Sequence, residues 1–130
     1  MNSNKIAHLK MIQDCINRMA RNSFLIKGWI ITLVISLITF FEPRNNIYIE
    51  YLILIPIIIF YLMDTYYLLI EKAFRKLYNQ VRDLNEEDVN FSMNIEEFKR
   101  KEFINALKSI PNIVFYLTLI ILLTLFIIFR

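Results

Sequence analysis

Two charged side chains interrupt stretches that are otherwise apolar, and they are the first candidates for chemistry in this chain. Asp64 is the only charged residue within residues 51–70, and Lys27 is the only one within residues 24–41. A charge inside a membrane costs on the order of several kcal/mol unless it is paired or neutralised. Each of the two residues therefore needs a partner, and each is the natural partner of the other.

Counting along the chain places these two charges at similar depths. Lys27 lies 14 residues before Phe41, about 21 Å along a helix, and Asp64 lies 17 residues after Ile47, about 25 Å. Antiparallel neighbouring helices would bring the two side chains together. We expect an ion pair that either only fastens two helices or acts as a gate or ion-pathway element. The sequence leaves open whether the pair forms within one chain or between two.

Small and hydroxyl-bearing residues recur along one face of the first apolar stretch. Gly28, Thr32 and Ser36 are spaced by four residues, and Thr39 continues the row loosely. We call these four residues the small-residue seam. Small side chains at this spacing let membrane helices approach closely. The seam therefore predicts either a helix-packing surface or, in an oligomer, a thin polar pore lining.

A proline interrupts the second apolar stretch. Pro56 lies in the middle of an isoleucine-rich run, where it removes one helical hydrogen bond and is expected to kink the helix. Such a kink is either a static feature of the packing or a hinge.

Residues 1–22 precede the first apolar stretch, and most of them follow the pattern of an amphipathic helix. Apolar residues recur at three- and four-residue spacing, namely Ile6, Leu9, Ile12, Ile16 and Met19. The opposite side is mostly cationic, and we call it the contact face: Lys10, Asn17, Arg18 and Arg21. This helix is expected to lie in the membrane interface or against a partner helix. Asn22 and Ser23 are expected to cap the helix that follows.

The sequence offers little for catalysis or metal binding. His8 and Cys15 are the only residues of their kinds, and their seven-residue separation corresponds to about 10 Å along a helix. They cannot form a nucleophile and its base at that distance, nor can they build a zinc cage. The single glycine, Gly28, excludes a glycine-rich phosphate loop. We therefore expect no enzyme activity, no cofactor and no metal.

The elements that must position these residues are membrane helices. Hydrophobic residues make up 57% of the chain, above the usual value of about 45–50%. They concentrate in residues 24–41, 47–70 and 112–129, and each stretch is long enough to cross a bilayer as a helix. The third stretch has only Thr118 and Thr124 as small polar residues, six apart, so we expect it to face lipid. The prediction is one all-α membrane domain, residues 1–130, with three transmembrane helices.

Cationic residues lie overwhelmingly on one side of these helices. Of the 15 Lys and Arg residues, all except Arg44 and Arg130 precede the first helix, begin it, or lie in residues 71–110. Cytoplasmic segments are the ones enriched in Lys and Arg. We therefore expect a bacterial inner-membrane protein with a cytoplasmic N-terminus and an external C-terminus.

The segment between the second and third apolar stretches is predicted to be a cytoplasmic helical hairpin, residues 71–110. Its apolar periodicity runs unbroken to Leu84, stops at the polar residues 85–88, and resumes before Pro111. The segment holds eight basic and eight acidic residues. That balance is a poor footprint for nucleic acid, which we do not expect as a partner.

Three short blocks carry a resemblance to known proteins. Residues 16–29, with the sequence INRMARNSFLIKGW, resemble a signature of small bacterial membrane proteins of unassigned function, and residues 74–78 and 90–93 resemble two further blocks of that group. More loosely, the layout is similar to SLATT-type membrane effectors of anti-phage systems. Those effectors are thought to oligomerise and permeabilise the inner membrane when a partner senses infection. The third apolar stretch of this chain departs from their plan.

Two functions from different classes follow from these features. The first is a membrane effector that forms homo-oligomers and permeabilises or depolarises the bilayer in response to a cytoplasmic signal or a soluble cytoplasmic sensor. The second is a non-conducting anchor or adaptor that recruits a soluble partner through its cytoplasmic helices. In both cases the lipid bilayer is the immediate partner.

Overall fold

The structure is a computed structural model that describes residues 3–41 and 47–129. Arg44 and Arg130, the two cations expected on the far side, lie outside the described residues. The described chain forms four α-helices and no strand, which confirms the all-α prediction. The helices are α1 (Ser3–Phe41), α2 (Ile47–Asp83), α3 (Glu96–Leu107) and α4 (Ile110–Phe129), with a short 3₁₀ helix at Glu86–Asp88.

The first helix is continuous, and the expectation that Asn22 and Ser23 cap a separate membrane helix is wrong. α1 runs without a break from Ser3 to Phe41, because no proline and only one glycine occur in it. The Ser23 hydroxyl donates to Asp64 on another helix and does not cap α1. The amphipathic segment and the first apolar stretch are therefore two halves of one rod.

Helices α1 and α2 lie side by side and antiparallel. Lys5 contacts Leu84 near the ends of the pair, and Lys27 contacts Asp64 nearer the middle. With 39 and 37 residues, the helices are about 58 and 55 Å long. The hydrocarbon core of a bilayer is only about 30 Å thick. Each helix is therefore long enough to cross a membrane and also extend well beyond it.

The polar half of the molecule, residues 3–22 and 71–108, has its own small core. The stripe residues Leu9, Ile12 and Ile16 are buried against Leu77 and Val81 of α2. Of the two surroundings expected for this stripe, the structure thus provides a partner helix, and that helix belongs to the same chain. Burying the stripe on α2 is what holds the first half of α1 as an extension of the apolar half.

Helices α3 and α4 return along α2. Lys76 forms an ion pair with Glu102 at 3.7 Å, and the Tyr61 hydroxyl donates to the Leu107 carbonyl at 2.7 Å. Helix α3 ends at Leu107, and α4 begins at Ile110 after two intervening residues, with Pro111 in its first turn. Proline is favoured there because a first-turn N–H has no helical partner. The 20 residues of α4 span about 30 Å, the thickness of the hydrocarbon core.

The apolar half packs around a core that includes α4. Ile30 and Val34 of α1 meet Ile53 and Ile57 of α2, and Leu123 of α4 joins the same cluster. The expectation that the third apolar helix faces lipid is wrong for one of its faces, because Asn112, Tyr116 and Leu123 are buried. The chain thus contains three helices long and apolar enough to cross a membrane, as length and composition predict.

Candidate functional site

Five polar side chains from three helices meet where the polar and apolar halves join. Helix α1 supplies Ser23 and Lys27, α2 supplies Asp64, and α4 supplies Asn112 and Tyr116. We call these five residues the polar cluster. The pairs on α1 and α4 are each four residues apart, so both members of a pair lie on the same face of their helix.

The Lys27 ammonium is held by three acceptors. Its Nζ atom lies 2.5 Å from Asp64 Oδ2, 3.0 Å from Ser23 Oγ and 3.0 Å from Asn112 Oδ1. An ammonium has three hydrogens to donate, so every one of them is used within the chain. The lysine side chain is 22% exposed, whereas Asp64 is fully buried. The pair that the sequence left unassigned therefore forms within one chain.

The Asp64 carboxylate accepts hydrogen bonds from side chains of the other two helices, α1 and α4. The Ser23 hydroxyl donates to Oδ1, and Lys27 and the Tyr116 hydroxyl donate to Oδ2, the latter at 3.1 Å. The tyrosine oxygen also lies 3.3 Å from the Phe60 carbonyl. A buried carboxylate with a cation and two hydroxyls around it meets the conditions under which a charge is tolerated in an apolar interior.

Aromatic rings enclose the cluster on the side of α4. Tyr116 packs edge-on against Tyr61, with 5.5 Å between ring centroids, and against Phe115 at 5.0 Å. The Lys27 ammonium lies 5.7 Å from the centre of the Phe115 ring, within the range of a cation–π contact. These rings exclude water and strengthen the electrostatic contacts behind them.

The cluster is suited to joining helices through charge and not to covalent chemistry. Removing one partner of a buried ion pair costs about 3–5 kcal/mol, because the other charge stays buried and uncompensated. The Asn112 Nδ2 atom is buried and has no hydrogen-bond partner among the described residues. Within residues 3–41 and 47–129, no group of three His, Cys, Asp or Glu side chains could hold a metal ion.

The small-residue seam lies away from these contacts. Thr32, Ser36 and Thr39 donate their hydroxyls to carbonyls of their own helix one turn earlier. A Cβ atom added to Gly28 would meet nothing within 4 Å. The seam therefore does not pack α1 against another helix of this chain, and its role in contacts between chains stays a prediction. Pro56 lies inside the uninterrupted α2.

The contact face of α1 is open on the outside of the polar half. Lys10, Asn17, Arg18 and Arg21 are all exposed. Asn17 accepts a hydrogen bond from Gln13 at 3.0 Å on the same helix. Asp14, the only acidic residue in α1, lies on the same side of the helix as these three cations.

The inner side of the same helix half is fixed to the segment that follows α2. Lys5 donates to the Leu84 carbonyl at 2.7 Å, just beyond the last turn of α2, where a cation stabilises the negative end of the helix dipole. The fully buried His8 ring contacts the Ser92 carbonyl at 3.0 Å and lies 5.3 Å from the Phe91 ring. Phe91 holds a left-handed φ of 56°.

Sequence reasoning missed Ser23, Asn112 and Tyr116 as members of the cluster, and it gave His8 no role. Ser23 was assigned to a helix cap, and the third apolar helix was expected to face lipid. A signal for them does exist, since Ser23 is four residues from Lys27 and Asn112 is four residues from Tyr116. Each pair places two polar groups on one face of an apolar helix. No family model, curated protein or solved structure matches the chain.

Proposed function

We propose that the chain is a bacterial inner-membrane effector whose copies associate and permeabilise or depolarise the membrane after a cytoplasmic signal. Its N-terminus would be cytoplasmic and its C-terminus external, and its setting would be anti-phage defence, as for the SLATT-type effectors that it resembles. The observation that carries the proposal is Asp64, fully buried and paired with Lys27 at 2.5 Å between apolar helices. In this reading the ion pair is the latch of the closed state.

The size of the interaction suits a latch. A switch between two conformations needs states that differ by only a few kcal/mol. The polar cluster joins all three apolar helices, and a small displacement would leave a charge buried without its partner. Breaking the ion pair and hydrogen bonds of the polar cluster would therefore favour a joint rearrangement of the three helices.

The continuity of α1 supports a path from a cytoplasmic signal to this latch. The contact face and Lys27 lie on one uninterrupted helix, and the hairpin of residues 71–110 is built on the extension of α2, which carries Asp64. A partner that pulls the polar half of α1 away from α2 would strain the contact between Lys27 and Asp64.

The test is membrane leak on controlled expression in a bacterial host, read with a potential-sensitive dye. Asp64→Asn leaves the Lys27 charge unpaired, so depolarisation at equal protein level should exceed that of the unsubstituted chain. Thr65→Val is the matched control, because Thr65 is the adjacent buried polar residue and its hydroxyl has no partner among the described residues. Equal potentials in the unsubstituted chain and Asp64→Asn, across several expression levels, contradict the proposal.

A double substitution separates a latch from simple loss of packing. Lys27→Met with Asp64→Leu removes both charges and keeps apolar bulk, a replacement that buried ion pairs often tolerate without loss of stability. If the ion pair is a latch, this variant should stay closed, and its leak should be no greater than that of the unsubstituted chain. Leak as high as in Asp64→Asn would instead assign the effect to damaged packing.

The exposed contact face supports a second candidate, the non-conducting anchor or adaptor. Arg18 and Arg21 are exposed cations on the contact face, beside a single acidic residue, Asp14, and a soluble acidic partner could dock there. Arg18→Gln with Arg21→Gln should then abolish capture of a soluble protein through a cytoplasmic tag while leaving membrane potential unchanged. Capture of the chain alone by both forms counts against this candidate.

A further inference from the structure

A long apolar groove separates α1 from α4 on the outer side of the polar cluster. Its volume is about 810 Å³, and it runs from Pro111 to Phe126 along α4. The principal lining residues are Ile35 and Ile38 on one wall and Val114, Thr118, Leu122 and Phe126 on the other. Phe115, which also contacts Lys27, lines the end of the groove nearest the polar cluster.

Unpaired cations lie beyond the same end of the groove. Lys108 is exposed and lies three residues before Pro111, where the α4 wall begins. Arg21 is exposed and lies on the same side of α1 as the groove-lining Ile35, two seven-residue steps or about 21 Å before it along the helix. In the part of the chain that the structure describes, neither side chain forms an ion pair. Lys27, by contrast, is fully engaged by the cluster.

The dimensions of the groove suit a lipid acyl chain. The groove lies within the range of about 300–1,000 Å³ that is usual for small-molecule sites. Its length of about 22 Å exceeds the hydrocarbon depth of one leaflet, about 15 Å. A lipid acyl chain therefore fits along its full length.

We propose that the groove between α1 and α4 is a binding site for an anionic phospholipid, with an acyl chain along the groove and the headgroup phosphate between Arg21 and Lys108. The inference requires that the apolar helices cross a bilayer, but it does not depend on pore activity. Anionic lipids are attracted to Lys and Arg at the membrane surface. The ligand would link α1 to α4 where the protein itself leaves them apart.

The test is native mass spectrometry of the full chain released from vesicles of phosphatidylglycerol mixed with phosphatidylcholine. We expect phosphatidylglycerol to be retained in preference to phosphatidylcholine. Arg21→Gln with Lys108→Gln should weaken its apparent affinity about 25-fold, from about fivefold for each cation. Arg100→Gln, an exposed cation on α3, should leave the affinity unchanged.

A bulky substitution tests the acyl part of the site. Thr118→Trp would fill the groove and should abolish lipid retention, whereas Ile121→Trp is matched in bulk, lies at an exposed position outside the groove and should retain the lipid. Retention of lipid by Thr118→Trp overturns the proposal. The proposal is also overturned if Thr118→Trp shifts the protein from oligomer to monomer while its lipid retention is unchanged. That result would assign the groove to contact with a second copy of the chain. If phosphatidylglycerol is retained as expected but the leak assay shows no depolarisation, the lipid site is supported and the effector function is not.

Discussion

At the scale of single residues, each hydrogen of the Lys27 ammonium in the polar cluster has an acceptor. Lys27 uses all three of its hydrogens, and Asp64 receives donors on both of its oxygens. Removing one partner of these hydrogen bonds is costly, because the group that remains is still buried and has lost both water and its partner. The contribution of each hydroxyl is therefore measurable by removing a single oxygen atom.

Tyr116 offers the cleanest such removal. Tyr116→Phe keeps the edge-on ring contact with Tyr61 and deletes only the hydroxyl that donates to Asp64. Hydrogen bonds to charged groups contribute about 1.5–3 kcal/mol, so the free energy of unfolding in detergent should fall by about that amount. Tyr66→Phe is the control, because Tyr66 is 53% exposed. Equal unfolding free energies for the two variants would mean that the hydroxyl does not stabilise the carboxylate.

At the scale of elements, the sequence indicates some parts of the molecule and is silent on others for identifiable reasons. Lys27 and Asp64 could be matched in depth because both interrupt apolar runs on either side of one short connection. Ser23 could not be placed, because its hydroxyl suits a helix cap and a buried carboxylate equally well. Tyr116 could not be placed either, since tyrosines near the ends of membrane helices are common as interfacial anchors. Tertiary packing decided both.

The continuity of α1 was likewise decided by packing. An amphipathic segment followed by an apolar one is compatible with a bend at the boundary, where one half lies flat in the interface. The structure replaces that arrangement by burying Ile12 and Ile16 against α2. Straightness of α1 therefore depends on this contact, and weakening it should loosen the first half alone.

Ile12→Ala tests this dependence. Ile12 is fully buried, and its truncation should cost about 2–5 kcal/mol locally. Amide hydrogen exchange in residues 3–16 should then accelerate by about 30-fold or more, while exchange in the apolar half stays unchanged. Met11→Ala is the control, since Met11 is the preceding residue and is 45% exposed. Acceleration spread evenly over α1 and α4 would show that the two halves unfold as one unit.

At the scale of the whole molecule, the two halves differ in the solvent that they require. The polar half carries nearly all of the charged side chains, and the outer surface of the apolar half is made of residues such as Ile35, Leu62 and Leu122. Those side chains have no covering within the chain, which is expected of a surface that faces hydrocarbon. The division is compatible with the proposed multi-pass membrane topology.

The single cysteine reports the topology. Cys15 is a free, partly exposed thiol in the polar half. With a cytoplasmic N-terminus, a membrane-impermeant maleimide should label it in inverted membrane vesicles and not in intact spheroplasts. Cys15→Ser with Phe129→Cys provides the matched reporter at the opposite end, where position 129 is exposed, and it should show the reverse pattern. Labelling of Cys15 from outside the cell would invert the proposed orientation.

The proposed association of copies through the small-residue seam can be tested by a single substitution. Space around Gly28 is empty within the chain, so Gly28→Leu adds bulk without disturbing the fold of one copy. It would, however, hold apart two helices that approach through Gly28, Thr32 and Ser36. Cross-linking in membranes should therefore shift from oligomer to monomer for Gly28→Leu. Thr124→Leu places the same leucine side chain at an exposed position on α4 and should leave the oligomer intact. If both variants associate like the unsubstituted chain, the seam does not form the interface. The proposed pore would then have no identified contact surface between its copies.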